Sequence, residues 1–345
     1  MKPHVDIIIP NFNGLRFFAV CLQSINLQTY TPFIVWTVDN GSTDGSAEWI
    51  RKNYPDVRVV CLPENRGFSA AVNAGIAQSN APYIFLLNND TELPPYCLSS
   101  LVEAAENLKE YDFFAPKMMS FHNRDVLDGA GDGFLRGGAG YRLGTMEKDS
   151  ACYNRPGPVF GACGGAVLYR RSLFDRVGLL DEDFFAYLED VDLNLRINRA
   201  GFQGYYVPEA VVYHIGSATT GSRINEFTIR LSTRNSFLVL LKNYSFLIFF
   251  RFLPIIFIYQ LTWVIFVLKK KHFIAYLQGI GQVFPLMTRM RRKHREIRKT
   301  DAMTAVQLSR CLKEAEKSVV TSIMRRRSAE GKGNMLLRVY DFLFL

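Results

Sequence analysis

Short, continuous, β-branched apolar runs that alternate with helix-periodic stretches narrow most what this chain can fold into. The spacing predicts strands over residues 5–10, 33–38, 57–62 and 83–88, separated by helices over 15–27, 46–53 and 68–78. Strands this short and this apolar are buried on both faces, as parallel strands are in a doubly wound, Rossmann-like α/β sheet covered by helices. Such sheets bind ligands beyond the carboxyl ends of their strands. The residues there are small and polar: Pro10, Asn11, Asn13 and Gly14 after the first run, Asp39, Asn40 and Gly41 after the second, Asn65, Arg66 and Gly67 after the third, Asn88, Asn89 and Asp90 after the fourth. Four strand ends therefore converge on one polar crevice.

Further along, the regularity lapses. Residues 112–157 are glycine-rich and patternless, which predicts loops or hairpins over the crevice. A strand is predicted over 160–168, where Gly161, Gly164 and Gly165 would let a ligand approach the backbone. A helical stretch over 184–200 carries Glu189, Asp190 and Asp192, and a strand over 204–213 leads to His214. With 345 residues, 48% of them hydrophobic, the chain can bury one core of roughly 200 to 250 residues and keep an appendage. The expected division is a catalytic unit over 1–235 and a basic, apolar helical region over 236–345. Six scattered cysteines without a CxxC pair fit a reducing compartment. The amino-terminal apolar run is too short for a signal peptide, so a cytosolic location is expected for the first unit.

Each polar strand end has a chemical reading and a plainer structural one. Asp39 is placed to accept hydrogen bonds from a nucleobase or ribose, or else forms an Asx-turn or cap; Asp44, at the next helix start, fits the capping role better. Asp90 ends an apolar strand where a hard cation could bridge it to phosphate oxygens, or it caps the helix near Pro94 and Pro95. Glu189, Asp190 and Asp192 crowd one helix start, where like charge and partial burial should raise at least one carboxyl toward the range of a general base. Asp190 is the candidate for deprotonating a hydroxyl, whereas Asp192, four residues before Arg196, is expected to pair with it. His214 could complete a metal site with Asp90, and Arg223 could cover a diphosphate.

Together these segments resemble glycosyltransferase family 2, the inverting transferases of the GT-A fold, and within it the rhamnosyltransferase-like branch that builds bacterial surface polysaccharides. The ordered match runs through Val5 to Gly14, Val38 to Ser46, Asn65 to Phe68, Asn73 to Ile76, Leu87 to Thr91 and Glu189 to Leu193. The resemblance implies a nucleotide-sugar donor held by Pro10, Asn11, Asn13, Asp39, Arg66, Asn88, Asn89 and Arg223. It implies Mg2+ or Mn2+ at Asp90 and His214, and Asp190 as the catalytic base within a Glu189–Asp190 pair. Asn88 stands at the first acidic position of the family's DxD motif, which leaves the metal site one carboxylate poorer. Rhamnose from a dTDP donor, passed to a lipid-linked saccharide, is what the branch implies. A UDP-hexose-dependent transferase and a catalytically silent membrane scaffold are the alternatives.

The net charge of +9 is unevenly spread. Residues 1–241 hold 21 Lys and Arg against 26 Asp and Glu, while 242–345 hold 20 against 6. The tail also contains a nearly continuous apolar run over 246–268. Its length permits a single transmembrane helix, but basic flanks and Arg251 argue instead for a hairpin or in-plane helices on the cytoplasmic leaflet of a bacterial inner membrane. Basic clusters interleaved with long apolar runs point to lipid over residues 245–299, not to nucleic acid. A dimer interface is left open by the same residues.

Overall fold

The structure, a computed structural model, describes residues 4–216 and 224–345; Arg223, expected at the diphosphate, lies outside the described residues. β1 (Val5–Asn11), α1 (Leu15–Asn26), β2 (Phe33–Asn40), α2 (Ser46–Asn53), β3 (Arg58–Leu62), α3 (Phe68–Gln78) and β4 (Tyr83–Leu87) follow the predicted alternation. β1 pairs in parallel with β2 and β4, and β2 with β3. Val5, Ile7 and Ile9 of β1 share a core with Phe18, Leu22 and Ile25 of α1, while Ile8 faces Val72 and Ile76 of α3. With both faces covered, the strand is apolar from Ile7 to Ile9, its buried Asp6 standing near its start where His4 meets it at 3.1 Å.

β5 (Thr91–Glu92), α4 (Cys97–Asn107), β6 (Phe113–Ser120), β7 (Leu127–Ala130), β8 (Asp132–Leu135), β9 (Ala139–Arg142), β10 (Gly157–Val159), β11 (Ala166–Arg170), α5 (Arg171–Val177), α6 (Glu189–Arg199) and β12 (Gly204–His214) complete this part. The main sheet has ten strands in the order β10-β12-β6-β11-β4-β1-β2-β3, with β5 on β12 and β7 on β6. β11 runs antiparallel between β4 and β6, and β12 returns parallel to β6.

Three expectations are corrected here. The segment over 112–157 does bring a hairpin, β8–β9, to the crevice, but it is not only loops and hairpins, because β6 lies inside the sheet between β11 and β12. Pro116 and Lys117 interrupt its apolar pattern; β12 bulges opposite them between Val207 and Val211, and the buried Lys117 ammonium pairs with Asp149 at 3.0 Å. The strand predicted over 160–168 begins only at Ala166, since the glycine-bearing stretch before it leaves the ladder to meet the crevice. The helix predicted from 184 begins at Glu189, because Phe185, Tyr187 and Leu188 have positive φ.

The tail forms α7 (Glu226–Asn243), α8 (Phe246–Arg251), α9 (Leu253–Lys269), α10 (Phe273–Gly281), α11 (Met287–Ile297), α12 (Ala305–Ala329) and α13 (Met335–Phe344). The apolar run over 246–268 is divided at Phe252, with Pro254 opening α9, and no described helix is long and apolar enough to cross a membrane. Residue 235, the expected boundary, falls inside α7. The tail also shares a core with the sheet-bearing part: Phe134, Phe184, Val191 and Leu195 pack with Leu238, Tyr244, Phe252, Ile256 and Leu312.

Ion pairs tie the two parts together. Lys242 on α7, buried, lies 2.7 Å from both Asp181 and Asp192, and Arg196 bonds Asp192 at 2.9 Å as its i+4 spacing predicts. Burial works to raise both carboxyls, but Lys242, joined by Lys293 at Asp181 and Arg196 at Asp192, outweighs it and holds them below the usual range. Their folded pKa values thus lie below the unfolded ones, so this stabilisation is full above about pH 4 and is lost as pH falls. Lys242→Met removes the cation that Asp181 and Asp192 share, leaving Lys293 and Arg196 as their remaining cations, and should cost up to about 3 kcal/mol, the low end for a broken buried pair. Urea titrations will show that loss at neutral pH, together with a shallower decline in acid than the wild type shows.

Candidate active site

The strand ends enclose a crevice of about 950 Å³ lined, among others, by Pro10, Asn11, Asn40, Asn65, Asn88, Asn89, Asp90, Glu189, Asp190 and His214. Its floor is a chain of amides. Asn89 Nδ2 donates to Asn11 Oδ1 at 2.8 Å, and Asn11 Nδ2 lies 2.9 Å from Asp39 Oδ1 and 2.8 Å from Ser46 Oγ. Asp39 is buried behind this chain, its other oxygen accepting from Ser42 N at 3.1 Å; it supports the lining without being part of it. Asn13 caps the neighbouring turn, accepting from Thr43 N at 2.8 Å, and is off the lining. Asp44 receives Leu15 N at 2.8 Å and Ser46 N at 3.1 Å, a capping role as expected. Arg66 pairs with Glu182 at 3.0 Å outside the lining, while its backbone N–H donates to Asn40.

Asp90 and His214 meet because β5 pairs with β12, setting Thr91 opposite His214. His214 Nε2 lies 3.3 Å from Asp90 Oδ1 and its Nδ1 lies 2.7 Å from Asp128 Oδ2. Asp90 caps no helix; it accepts from Gly216 N at 3.2 Å, and α4 starts only at Cys97. Burial lowers the His214 pKa, yet hydrogen bonds to Asp128 and Asp90 outweigh it and leave it raised. Among the described residues no group of three or more His, Cys, Asp or Glu side chains is arranged to hold a metal. The Asp90 carboxylate and the His214 imidazole are nevertheless an oxygen and a nitrogen donor of the kind Mg2+ or Mn2+ accepts, and Asp128 holds the imidazole as outer-shell carboxylates do. The pair fits a cation that draws its remaining ligands from a bound diphosphate and water.

Two further crevice residues, Asp132 and Arg142, and Asp128 behind His214 are absent from the sequence expectations. Asp128 on β7, Asp132 on β8 and Arg142 on β9 come together through the β8–β9 hairpin and the β6–β7 pairing. Arg142 pairs with Asp128. Burial, then the nearness of Asp190, pushes the Asp132 carboxyl up to about 7. The available signal was two aspartates, four residues apart, beside otherwise buried apolar positions such as Leu127, Ala130 and Phe134.

Glu189 and Asp190 open α6. Asp190 accepts from Gly164 N at 3.1 Å and from Val191 N at 2.8 Å, on the crevice wall. The loop before them is strained, with φ of 65° at Phe185, 67° at Tyr187 and 65° at Leu188, conformations that cost about 1–3 kcal/mol each without glycine. Asn235, fully buried on α7, offsets this by donating to the carbonyls of Phe184, Ala186 and Tyr187 at 3.0, 2.9 and 2.6 Å.

Burial, then its neighbour Asp190, pushes the Glu189 carboxyl up to about 8, and its Oε2 has no hydrogen-bond partner among the described residues. This is the raised carboxyl expected of the acidic cluster. Because the folded pKa is above the unfolded value, the folded chain binds an extra proton between about pH 4.5 and about pH 8, and stability falls as pH rises through that window. Glu189→Gln should flatten this part of the profile in urea titrations at about pH 5 and about pH 8; an unchanged slope excludes Glu189 as its source.

The sequence and fold are shared with known transferases. The family model described as glycosyl transferase family 2 matches residues 6–178. An N-acetylglucosaminyl-diphospho-decaprenol L-rhamnosyltransferase of Mycobacterium tuberculosis is 32% identical over 222 residues, covering 58% of this chain and 72% of that protein. Among solved structures, a mannosyltransferase from Pyrobaculum calidifontis in complex with GDP-Man and Mn2+ aligns over 87% of this chain and 86% of its own, with a TM-score of 0.51 at 15% identity. GalNAc-T7 with UDP, GalNAc and Mn2+ aligns over 70% of this chain and 48% of its own, with a TM-score of 0.57 at 15% identity. The two structures share the GT-A fold with this chain, and the sequence match carries the assignment: the chain belongs to glycosyl transferase family 2.

Proposed function

We propose that this chain is an inverting glycosyltransferase that moves one sugar, rhamnose from dTDP-rhamnose, to a lipid-linked saccharide at the cytoplasmic face of a bacterial inner membrane. The observation that carries the reading is the placement of Asp190 on the wall of the same crevice as the Asp90–His214 pair. The Mycobacterium tuberculosis relative's name supports both the sugar and a lipid-linked acceptor.

The nucleotide lies over Pro10, Asn11 and Asn40, with Asp39 fixing Asn11 from behind. Asp90 and His214 would hold Mg2+ or Mn2+, which when bound neutralises charge on the departing diphosphate. Asp190 removes the acceptor proton as the hydroxyl oxygen attacks C1, the bond from C1 to the nucleoside diphosphate breaks, and the configuration at C1 inverts. Gly164 N–H and Val191 N–H fix the Asp190 carboxylate for that task. Residues 1–235 form the catalytic unit and 236–345 the membrane-associating region, α7 belonging to both.

Calorimetry with dTDP and with UDP, each in Mn2+ and in EDTA, tests the donor site. Metal-dependent binding of dTDP supports the reading, binding of UDP alone names a UDP-sugar transferase, and binding of neither favours a silent scaffold. Asp190→Asn should keep nucleotide affinity within about twofold while lowering kcat by at least about a hundredfold. Full transfer by that variant would remove Asp190 as the base.

Phe246, Phe257 and Ile274 are 81%, 66% and 73% exposed on α8, α9 and α10, beside the exposed Lys269, Lys270 and Lys271. Apolar side chains with a basic fringe suit an anionic leaflet. The protein should float with vesicles containing anionic lipid and not with neutral ones, and changing the three lysines to glutamate should weaken that flotation.

A further inference from the structure

One wall of the crevice is aromatic and is left unused by the chemistry above. Phe185, Tyr187 and Phe227 line it with Asp190. Phe227 receives both other rings edgewise, each with centroids 6.3 Å away, at interplanar angles of 78° and 65°. All three side chains are half-buried, so they contribute less to a core than rings of this size usually do.

The chain is held under strain to present them. Phe185 has φ 65° and ψ −66°. Its carbonyl accepts from Ser69 N at 3.4 Å on α3, and Gly67 makes room for it, since a Cβ there would stand 2.4 Å from that oxygen. From α7, Asn235 holds three carbonyls of the loop and Arg234 holds those of Asp183 and Phe184 at 3.1 and 2.7 Å. A loop clamped from two helices keeps its rings in place before any ligand arrives, so little ordering remains to oppose binding.

The surroundings indicate the ligand's chemistry. The amide floor suits the polar nucleotide, whereas the aromatic wall suits the apolar face of a pyranose ring. Two residues beyond Phe227, Ile229 packs with Val267 of α9 and Ala275 of α10. On the same helix α10, Phe273, Ile274 and Leu277 are 39%, 73% and 52% exposed. Phe227 and Ile229 lie on opposed faces of α7, which therefore stands between the aromatic wall and the exposed apolar helices.

We propose that Phe185, Tyr187 and Phe227 form the acceptor subsite, stacking a saccharide ring within reach of Asp190. This rests on the proposed transferase reading and adds which residues select the acceptor.

The test uses the full-length protein and, as probe, an N-acetylglucosaminyl diphosphate carrying a short polyprenyl chain. Phe227→Ala should raise the KM for the probe by about tenfold while nucleotide affinity by calorimetry stays within about twofold, and Phe227→Tyr should restore the wild-type KM. Tyr187→Leu, which keeps bulk without the ring, serves as the second variant should Phe227→Ala fail to fold. A wild-type probe KM in a folded ring-deleted variant, or an equal loss of nucleotide affinity, overturns the subsite. A wild type that binds nucleotide yet transfers sugar to no polyprenyl probe overturns the transferase reading itself, and the subsite with it.

Discussion

The burial of β1 and β4 on both faces is the constraint from which the crevice follows. Ile7, Ile8, Ile9, Phe85 and Leu86 are at most 1% exposed, so polar side chains stand only toward the ends of these strands, Asp6 near the start of β1 and the amides at the carboxyl ends. There the amides act as a unit: Asn89 bonds Asn11, and Asn11 bonds Asp39. Even the turn between them is specified, because a Cβ at Gly14 would stand 2.0 Å from Asn89 Nδ2 and 2.5 Å from Asn11 Oδ1. An alanine there would have to displace the bond that links two strand ends. The floor is consequently rigid and polar before any ligand arrives, which is what a site that discriminates by hydrogen bonds requires.

How much of this can be read from sequence depends on how local its cause is. The strands over β1 to β4 and their polar ends follow from adjacent residues, as does the i,i+4 pairing of Asp192 with Arg196. β6 is hidden because Pro116 and Lys117 break its pattern, and what permits them is a bulge in β12 and an aspartate 32 residues further on. Asp128, Asp132 and Arg142 stand in short strands whose partners are set by long-range pairing, so spacing alone does not bring them to His214. Positive φ at Phe185, Tyr187 and Leu188 contradicts the local preference of those residue types; it is imposed by Asn235, about 50 residues away.

The tail illustrates the same distinction. Hydropathy finds one apolar run over 246–268, but the structure turns Phe252 inward, at 2% exposure, beside the buried Arg136–Glu316 pair and 4.9 Å from the Arg136 guanidinium. An arginine buried to this extent needs its carboxylate and its ring to offset desolvation. Breaking the run at that point binds the tail to the β8–β9 hairpin, and the same hairpin carries Asp132 and Arg142 into the crevice. The apolar surface left exposed on α8 to α10 is thus rigidly connected to the site instead of hanging from it on a linker.

Glu189 and Asp190 are neighbours in sequence with opposite environments, and that difference separates their roles. Glu189 is 6% exposed, its Oε2 has no hydrogen-bond partner among the described residues, and burial, then Asp190, pushes its carboxyl up to about 8. Two ionised carboxylates side by side at a buried helix start would repel each other, and keeping one of them neutral removes that repulsion. Asp190 has instead two backbone N–H groups on its oxygens and the open crevice before it. Both acids reach the crevice, and Asp190 is the one whose carboxylate Gly164 N–H and Val191 N–H hold still, as the proposed base requires. The raised Glu189 carboxyl beside the hydrogen-bonded Asp190 carboxylate makes the pair asymmetric although it is built from adjacent residues.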